Sequence, residues 1–441
     1  MSRRDIVMKA FEEQREFVDA RVMHSTELYR KGDAAITFTS DGDLPENITV
    51  EIEQVGHEFK FGANLFMLDE LETDEKNKIY REKFPEFFNI ATIPFYWNTL
   101  EPERGKPRFS KASPKVYRRP AIDLCMEFCQ ENGIEPKLHC LNYDQFSPDW
   151  LKGATDREVK LALIKRFREI GERYADRIPM IEVTNETYCL PKKNDFYYSD
   201  DFVEWSFREA VKHFPANELI INEAYIHWEI VNARTSHNPY YQQIEKLLRD
   251  HVPVHGIGMQ FHSFFPMEQE AEHTIKRGRY NPEHLFDTMD KFEQLNLPLQ
   301  ITEMTIPAYS SAAEDEEIQA ELIERLYRIF FAQRNMEAII YWNTVDGYAY
   351  GSPQGDMSGG ENRYRGALLR FDMTEKPAYK VLRKLIKEEW HTSLVKPAVN
   401  GRLTFRGFHG YYKLTVHAGE KTFTLDYKLR RGMDNKLTVK I

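Results

Sequence analysis

The chain has 441 residues, 41% hydrophobic and 29% charged, with 60 basic against 70 acidic side chains and a net charge of −10. That length allows two or three domains, or one large α/β barrel with additions. A net negative chain is poorly suited to a phosphate backbone or an anionic membrane surface, so no nucleic-acid and no membrane partner is expected.

Residues 1–30 read as a helix, with Ile6, Val7, Phe11, Phe17, Val18 and Val22 spaced among charges. The start has a basic pair but no apolar core or small-residue cleavage site, so it does not read as a secretory signal. Nor does any window hold about 18 consecutive apolar residues. The cysteines, Cys125, Cys129, Cys140 and Cys189, form no CxxC and are expected to be reduced and mostly buried. A cytoplasmic location is expected on these grounds.

From Ala34 the period changes to two, and ITFTS and ITVEIEQV read as short strands around a turn-rich DGDLPEN. Strand-like runs then alternate with helical patterns. The runs are FKFGANLF, NIATIPFYW, EPKLHCLNY, PMIEVTNE, ELIINEAY, HGIGMQFH, PLQITEMT and AIIYWNTVD. Helices are expected after them near 74–88, 118–132, 156–174, 200–213, 238–250, 281–295, 314–334 and 376–389. Many runs lack clean alternation, as strands buried on both faces do. Eight such units predict a (β/α)8 TIM barrel over 59–390. No G-x-G-x-x-G or P-loop follows any strand, which leaves the alternative doubly wound sheet without a nucleotide site. Beyond Trp390 the chain alternates apolar and polar residues and reads as four or so antiparallel strands. Residues 1–58 and 391–441 carry too few strands to stand alone, so they are expected to pair in one accessory β-sandwich-like domain. Phe405, Phe408, Tyr411 and Tyr412 are read there as exposed. They suit a structural cap, an oligomer contact or a carbohydrate-binding face, and a homo-oligomer is allowed on that basis.

A barrel carries its site at the strand C-terminal ends. There the sequence places His139 and Asn142-Tyr143, then Asn185-Glu186, Asn222-Glu223, Gln260 and His262, Glu303, and finally Trp342 and Asp346. Carboxylates at several strand ends suggest glycoside hydrolysis, which needs one acid for the leaving oxygen and one carboxylate to attack or to activate water. Glu186, Glu223 and Glu303 compete for the two roles, and spacing alone does not choose. The histidines show no HExxH and no clustered Cys/His spacing, so neither metal nor cofactor is expected.

Several ordered segments carry a resemblance: TLEPERG ending at Gly105, HCLNYDQFSPDWL, IEVTNE, GIGMQFH, ITEMT and GALLRFDMTEKPAYKVL. Together they resemble glycoside hydrolase family 10, typified by endo-β-1,4-xylanases, over about residues 57–390. The resemblance implies that Glu186 is the general acid/base and Glu303 the nucleophile of a retaining double displacement. It implies that Asn185 bonds the sugar 2-hydroxyl and that His262 holds the nucleophile, with Gln260 two residues before it. His139 and Trp342 match substrate-binding positions, and Glu223 is read as a supporting carboxylate. The mechanism requires a raised pKa for Glu186, a low one for Glu303 and about 5–5.5 Å between the carboxyls.

The chain departs from the family where distal sugar grips are expected. Thr92-Ile93 stand for a Glu-Asn pair, Tyr96 for a Lys, and Tyr143 and Phe146 for a Trp and a Gln. A specificity moved away from plain xylan is therefore expected: a decorated plant oligosaccharide, or a β-glycoside with an apolar aglycone stacked on these rings. Tyr96, Trp97, Tyr143, Phe146, Trp342 and Tyr348 are expected near the barrel mouth. Two other readings stay open, a non-catalytic glycan-binding protein on the same scaffold, and transglycosylation in place of hydrolysis.

Overall fold

The computed structural model describes residues 2–229 and 237–441. The one helix expected over 1–30 is two, Arg3–Glu13 and Arg15–Tyr29. Ser2 and Asp5 cap the first reciprocally, and Gln14 at φ −107°, ψ 13° interrupts the run. Val7, Met8, Phe11 and Val18 join the main core. Arg3 fastens the first helix to the barrel through Glu270 at 2.8 Å and Asp315 at 3.0 Å.

Strands β1 (Lys31–Thr39) and β2 (Ile48–His57) follow, and the chain then enters the barrel. Eight parallel strands close it: β3 (Lys60–Asn64), β4 (Ile90–Pro94), β5 (Glu135–His139), β6 (Met180–Asn185), β7 (Glu218–Glu223), β8 (Gly256–His262), β9 (Leu299–Thr305) and β10 (Met336–Tyr341). The fold is thus a TIM barrel with two added sheets, antiparallel except where β1 pairs in parallel with the last strand of the chain. Strands such as β4 and β9 are buried at every residue, because helices cover the outside and packed side chains fill the inside. The helix read at 156–174 spans Asp156–Tyr174, set at its start by a Thr155/Glu158 capping box. Gly133, at φ 62°, ends the helix Ile122–Asn132 in a left-handed turn that a Cβ would strain. The last helix, Pro377–Lys384, runs into a π turn over Leu385–Glu389.

Five strands complete the chain: β11 (Ser393–Ala398), β12 (Arg402–Phe408), β13 (Gly410–Ala418), β14 (Lys421–Leu429) and β15 (Lys436–Lys440). As expected they pair with the N-terminal strands. One sheet has the order β12-β1-β15 and the other β11-β2-β13-β14. Ile36, Phe38, Val50, Ile52, Leu403, Phe405, Leu414 and Val416 fill the space between them. The aromatics of this segment correct the sequence reading. Phe405, Phe408 and Tyr412 are buried, and of the four only Tyr411 is exposed. Successive side chains of β13 point to opposite faces, so Tyr412 turns into the sandwich and Tyr411 to solvent. Phe408 and Trp390 instead join the barrel core; Trp390 stacks on Phe331 with ring centroids 4.0 Å apart and on Phe61 at 5.6 Å. The sandwich therefore meets the barrel where β3 begins, the end opposite the strand termini that build the site. Among the described residues no helix is long and apolar enough to cross a membrane.

Candidate active site

A cleft of about 560 Å³ opens at the C-terminal ends of the barrel strands. Glu186, Glu303, His139, Asn185, Gln260, His262, Trp342 and Tyr143 all line it. The fold thus gathers these eight residues in one place.

Glu303 lies within β9 and is almost fully buried. Its Oε1 accepts from Asn222 Nδ2 and from Gln260 Nε2, each at 3.0 Å. Its Oε2 lies 3.0 Å from His262 Nε2, and the other ring nitrogen of His262 lies 3.0 Å from the Thr305 hydroxyl. Burial pulls the His262 imidazole down to about 4, so the ring is neutral at pH 7. A neutral ring with its proton on Nε2 donates to Glu303 and accepts from Thr305, which uses both nitrogens. Register explains the meeting: Gln260 sits opposite Glu303 and His262 opposite Thr305, after a shift between Met259 and Gln260.

Glu186 follows β6 with φ at 49°, a conformation that an L side chain adopts at a cost and that here turns the carboxylate off the strand line. Its Oε1 accepts from Gln260 Nε2 at 3.1 Å. Its Oε2 meets the Tyr143 hydroxyl at 2.5 Å and the Cys189 thiol at 3.3 Å. One nitrogen of Gln260 therefore reaches both carboxylates. The two Oε1 atoms can be no farther apart than those two contacts allow, about 6 Å.

The turn carrying Glu186 is held from behind by Glu223. Its Oε2 accepts from the Thr187 backbone N–H at 2.7 Å and the Tyr188 N–H at 3.3 Å, and its Oε1 accepts from Ala224 N–H at 2.9 Å. Burial pushes the Glu223 carboxyl up to about 7. Glu223 does not line the cleft, in keeping with its reading as a supporting group.

Asn222 was named in the sequence without a role, and the structure gives it one. Its amide spans Asn185 Oδ1 at 2.8 Å and Glu303 Oε1 at 3.0 Å, while Thr302 donates to its Oδ1 at 2.6 Å. Gly258 makes this crossing sterically possible, since a Cβ there would lie 2.4 Å from Asn222 Oδ1 and 2.9 Å from Thr302 Cγ2.

Beneath the cleft lies an ionic group that sequence reading missed. Glu182 sits between Lys137 and His139 and contacts both, all three buried. Burial works against the Glu182 charge, yet the two cations hold its carboxyl down at about 2. Burial likewise opposes a charged His139, and Glu182 more than offsets it and raises the ring. His139 Nε2 lies 3.0 Å from the Tyr96 hydroxyl. Lys137 and Glu182 meet from adjacent strands, a pairing that neither strand's own sequence signals.

The expected low pKa of Glu303 is corrected. Burial pushes its carboxyl up to about 8; Glu182 and Glu186 add to that, while His139 and Lys137 oppose it. Three N–H donors converge on the group, and all three favour its ionised form.

The aromatics divide. Tyr96, Tyr143, Phe146 and Trp342 line the cleft as expected. Trp97 instead bonds Glu101 at 2.9 Å and faces Trp150, and Tyr348 is buried against Phe371. Neither reaches the cleft. Asp346 also points away, to Lys376 at 2.6 Å. Phe264, not singled out by sequence, stacks on His262 with centroids 4.4 Å apart.

A closed parallel barrel whose strand ends bring two glutamates onto one amide defines a glycosidase-type site. The chain belongs to Glycosyl hydrolase family 10, whose family model matches residues 55–385, and it is a glycoside hydrolase of that family. It is 23% identical over 417 residues to endo-1,4-beta-xylanase 2 of Arabidopsis thaliana, covering 92% of this chain but only 34% of that protein. It is 26% identical over 360 residues to endo-1,4-beta-xylanase B of Thermotoga neapolitana, covering 79% of this chain and 93% of that one. Among solved structures, xylanase 10B of Thermotoga petrophila RKU-1 in complex with xylobiose matches with a TM-score of 0.58 at 22% identity, covering 75% of this chain and 95% of that chain.

Proposed function

We propose that the protein hydrolyses β-glycosidic bonds of a xylan-derived or related plant oligosaccharide, with retention, through two glutamates. The observation that carries this reading is the shared Gln260 nitrogen, which holds the facing oxygens of the two carboxylates within about 6 Å, a spacing that suits the 5–5.5 Å of a retaining pair better than the 6.5–9.5 Å that an inverting enzyme leaves for water.

The partners of each carboxylate support the roles. Glu303 receives only N–H donors, from Asn222, Gln260 and neutral His262, which suits a group that attacks as the anion. Glu186 Oε2 faces a hydroxyl and a thiol, which can rotate to accept as well as donate. Such partners suit a carboxyl that gives a proton to the leaving oxygen and later takes one from water. In the first step the C1–O bond breaks, Glu186 protonates the departing oxygen and Glu303 bonds to C1. In the second, water adds at C1, its proton passes to Glu186 and Glu303 leaves.

The distal wall supports a substrate other than plain xylan. Thr92 is buried within β4, and Tyr96 spends its hydroxyl on His139, so neither is free as a polar sugar grip. Phe264, Phe265 and Trp228 on the cleft wall favour, as a second reading, a glycoside with an apolar aglycone.

The test is leaving-group dependence. Glu186→Gln is expected to lower turnover of a sugar glycoside by about 10²–10⁴-fold. A dinitrophenyl β-glycoside, which needs no proton on departure, should lose far less. Equal losses on both would remove Glu186 from the acid role. A parallel screen of plant oligosaccharides, with products read by mass spectrometry, identifies the substrate. Unsubstituted xylan proving as good as any other glycan would contradict a shifted specificity.

A further inference from the structure

Two arginines stand side by side in the cleft wall. Arg118 and Arg119 both line the cleft, with only 4% and 6% of their surface exposed. Arg118 Nη2 donates to Asn343 Oδ1 at 3.3 Å, while its Nε and Nη1 are buried without a hydrogen-bond partner. Arg119 Nη1 donates to the Arg118 carbonyl at 2.8 Å, and its Nε is buried without a partner. Among the described residues no carboxylate forms an ion pair with either. Glu361, which also lines the cleft, accepts from Asn343 Nδ2 at 3.0 Å and so reaches Arg118 only through that amide.

Buried cations are normally paired, and an orphaned guanidinium N–H is costly. The chain nonetheless builds this wall rigidly. Arg108 fastens the loop by donating to the carbonyls of Thr99 at 2.9 Å, Pro114 at 2.8 Å and Arg119 at 3.2 Å. Arg118 holds φ at 61°. Rings cage the second guanidinium, whose centre lies 4.1 Å from the Tyr96 ring centroid, 5.0 Å from that of Phe66 and 5.8 Å from that of Phe146. Rings can offset part of the desolvation of such a cation, but a ring face does not satisfy the in-plane N–H groups of the fork, which match a planar anion.

The location gives the ligand. Tyr96, under Arg119, bonds His139, and His139 Nδ1 lies 4.0 Å from Glu303 Oε1. Two side chains, Tyr96 and His139, thus link Arg119 to Glu303, and both arginines line the same cleft as the reacting pair, where a substituent or a neighbouring sugar would lie. We infer that Arg118 and Arg119 form a subsite for a carboxylate on the substrate, so that the preferred glycan carries a uronic acid. This rests on the glycosidase reading above and names the substrate class within it.

The test pairs a xylo-oligosaccharide bearing one glucuronic acid with the same oligosaccharide after its carboxyl is reduced to the alcohol. Binding of both to the Glu303→Gln full-length protein is measured by calorimetry, and turnover of both by the unmodified enzyme is measured in parallel. The expected result is at least tenfold tighter binding of the acid, weakening with salt, and collapse of that ratio toward one in Arg118→Met and in Arg119→Met. Equal binding of acid and alcohol, or binding of neither, overturns the subsite without needing any variant to fold. Tighter binding of a sugar phosphate than of the uronate overturns the carboxylate. The glycosidase reading is judged separately, by turnover of either oligosaccharide: it stands if both are cleaved at equal rates, the case in which the subsite alone falls.

Discussion

Glu186 and Glu303 accept hydrogen bonds from one and the same nitrogen, Gln260 Nε2, at 3.1 and 3.0 Å. Asn185 Oδ1 lies 3.2 Å from that nitrogen as well, so its two hydrogens serve three acceptors. Such a shared donor couples the carboxylates in position and in charge. Gln260→Leu, which keeps the bulk and removes the donor, is expected to lower kcat by about 10²-fold, the scale of a misplaced reacting group. The measurement is steady-state kinetics on an aryl β-glycoside, with a melting curve to verify folding. A loss below twofold would mean that the bridge does not position the pair.

The pH profile follows from Glu303. Burial raises its carboxyl to about 8 in the free enzyme, and attack needs the anion. Activity should therefore fall as pH drops through that group, with the acid limb of kcat/KM well above the 4.5 of an ordinary glutamate. His262 donates to the charged form, so His262→Phe should move the limb to still higher pH. A limb that moves to lower pH, or stays in place, would mean that His262 does not support the Glu303 anion.

Stability has its own pH signature in Glu182. Lys137 and His139 hold its folded-state pKa at about 2, below the 4.5 of an unfolded chain. The stabilisation is thus fully present above about 4.5 and is lost as pH falls through 2. Glu182→Gln leaves Lys137 buried opposite an uncharged group, and is expected to cost about 3–5 kcal/mol at pH 7. Denaturant melts at pH 7 and pH 3 provide the check, the gap between wild type and variant narrowing at the lower pH. A gap that does not change with pH would assign the cost to packing alone.

Much of this site could be read before any fold was known, for a physical reason. Barrel strands buried on both faces are rich in apolar residues, and polar pairs or acids close several of them at the rim: Asn185-Glu186 at the end of β6 and Glu303 near the end of β9. Helices with their own capping signals, such as Asp156–Tyr174, were equally legible. What stayed hidden depends on three-dimensional neighbours. Lys137 and Glu182 neutralise each other across adjacent strands, and neither strand carries a trace of its partner. Arg118 and Arg119 sit in a loop with no period, and only the fold turns VYRRP toward the cleft. Trp97 and Tyr348 lie near the mouth along the chain, yet their rings face other side chains. The sandwich aromatics show the same limit: alternation gave the strands, but only the packing of the second sheet decides which face is covered, Tyr412 inside and Tyr411 outside.

The most direct test of the two-glutamate account is the configuration of the first product. Proton NMR during the opening minutes of cleavage of a β-linked oligosaccharide distinguishes the anomers before they equilibrate. Attack by Glu303 followed by water predicts the β-anomer first, with the α-anomer growing in by mutarotation. The α-anomer appearing first would mean that water attacks C1 directly, and would contradict the nucleophilic role of Glu303.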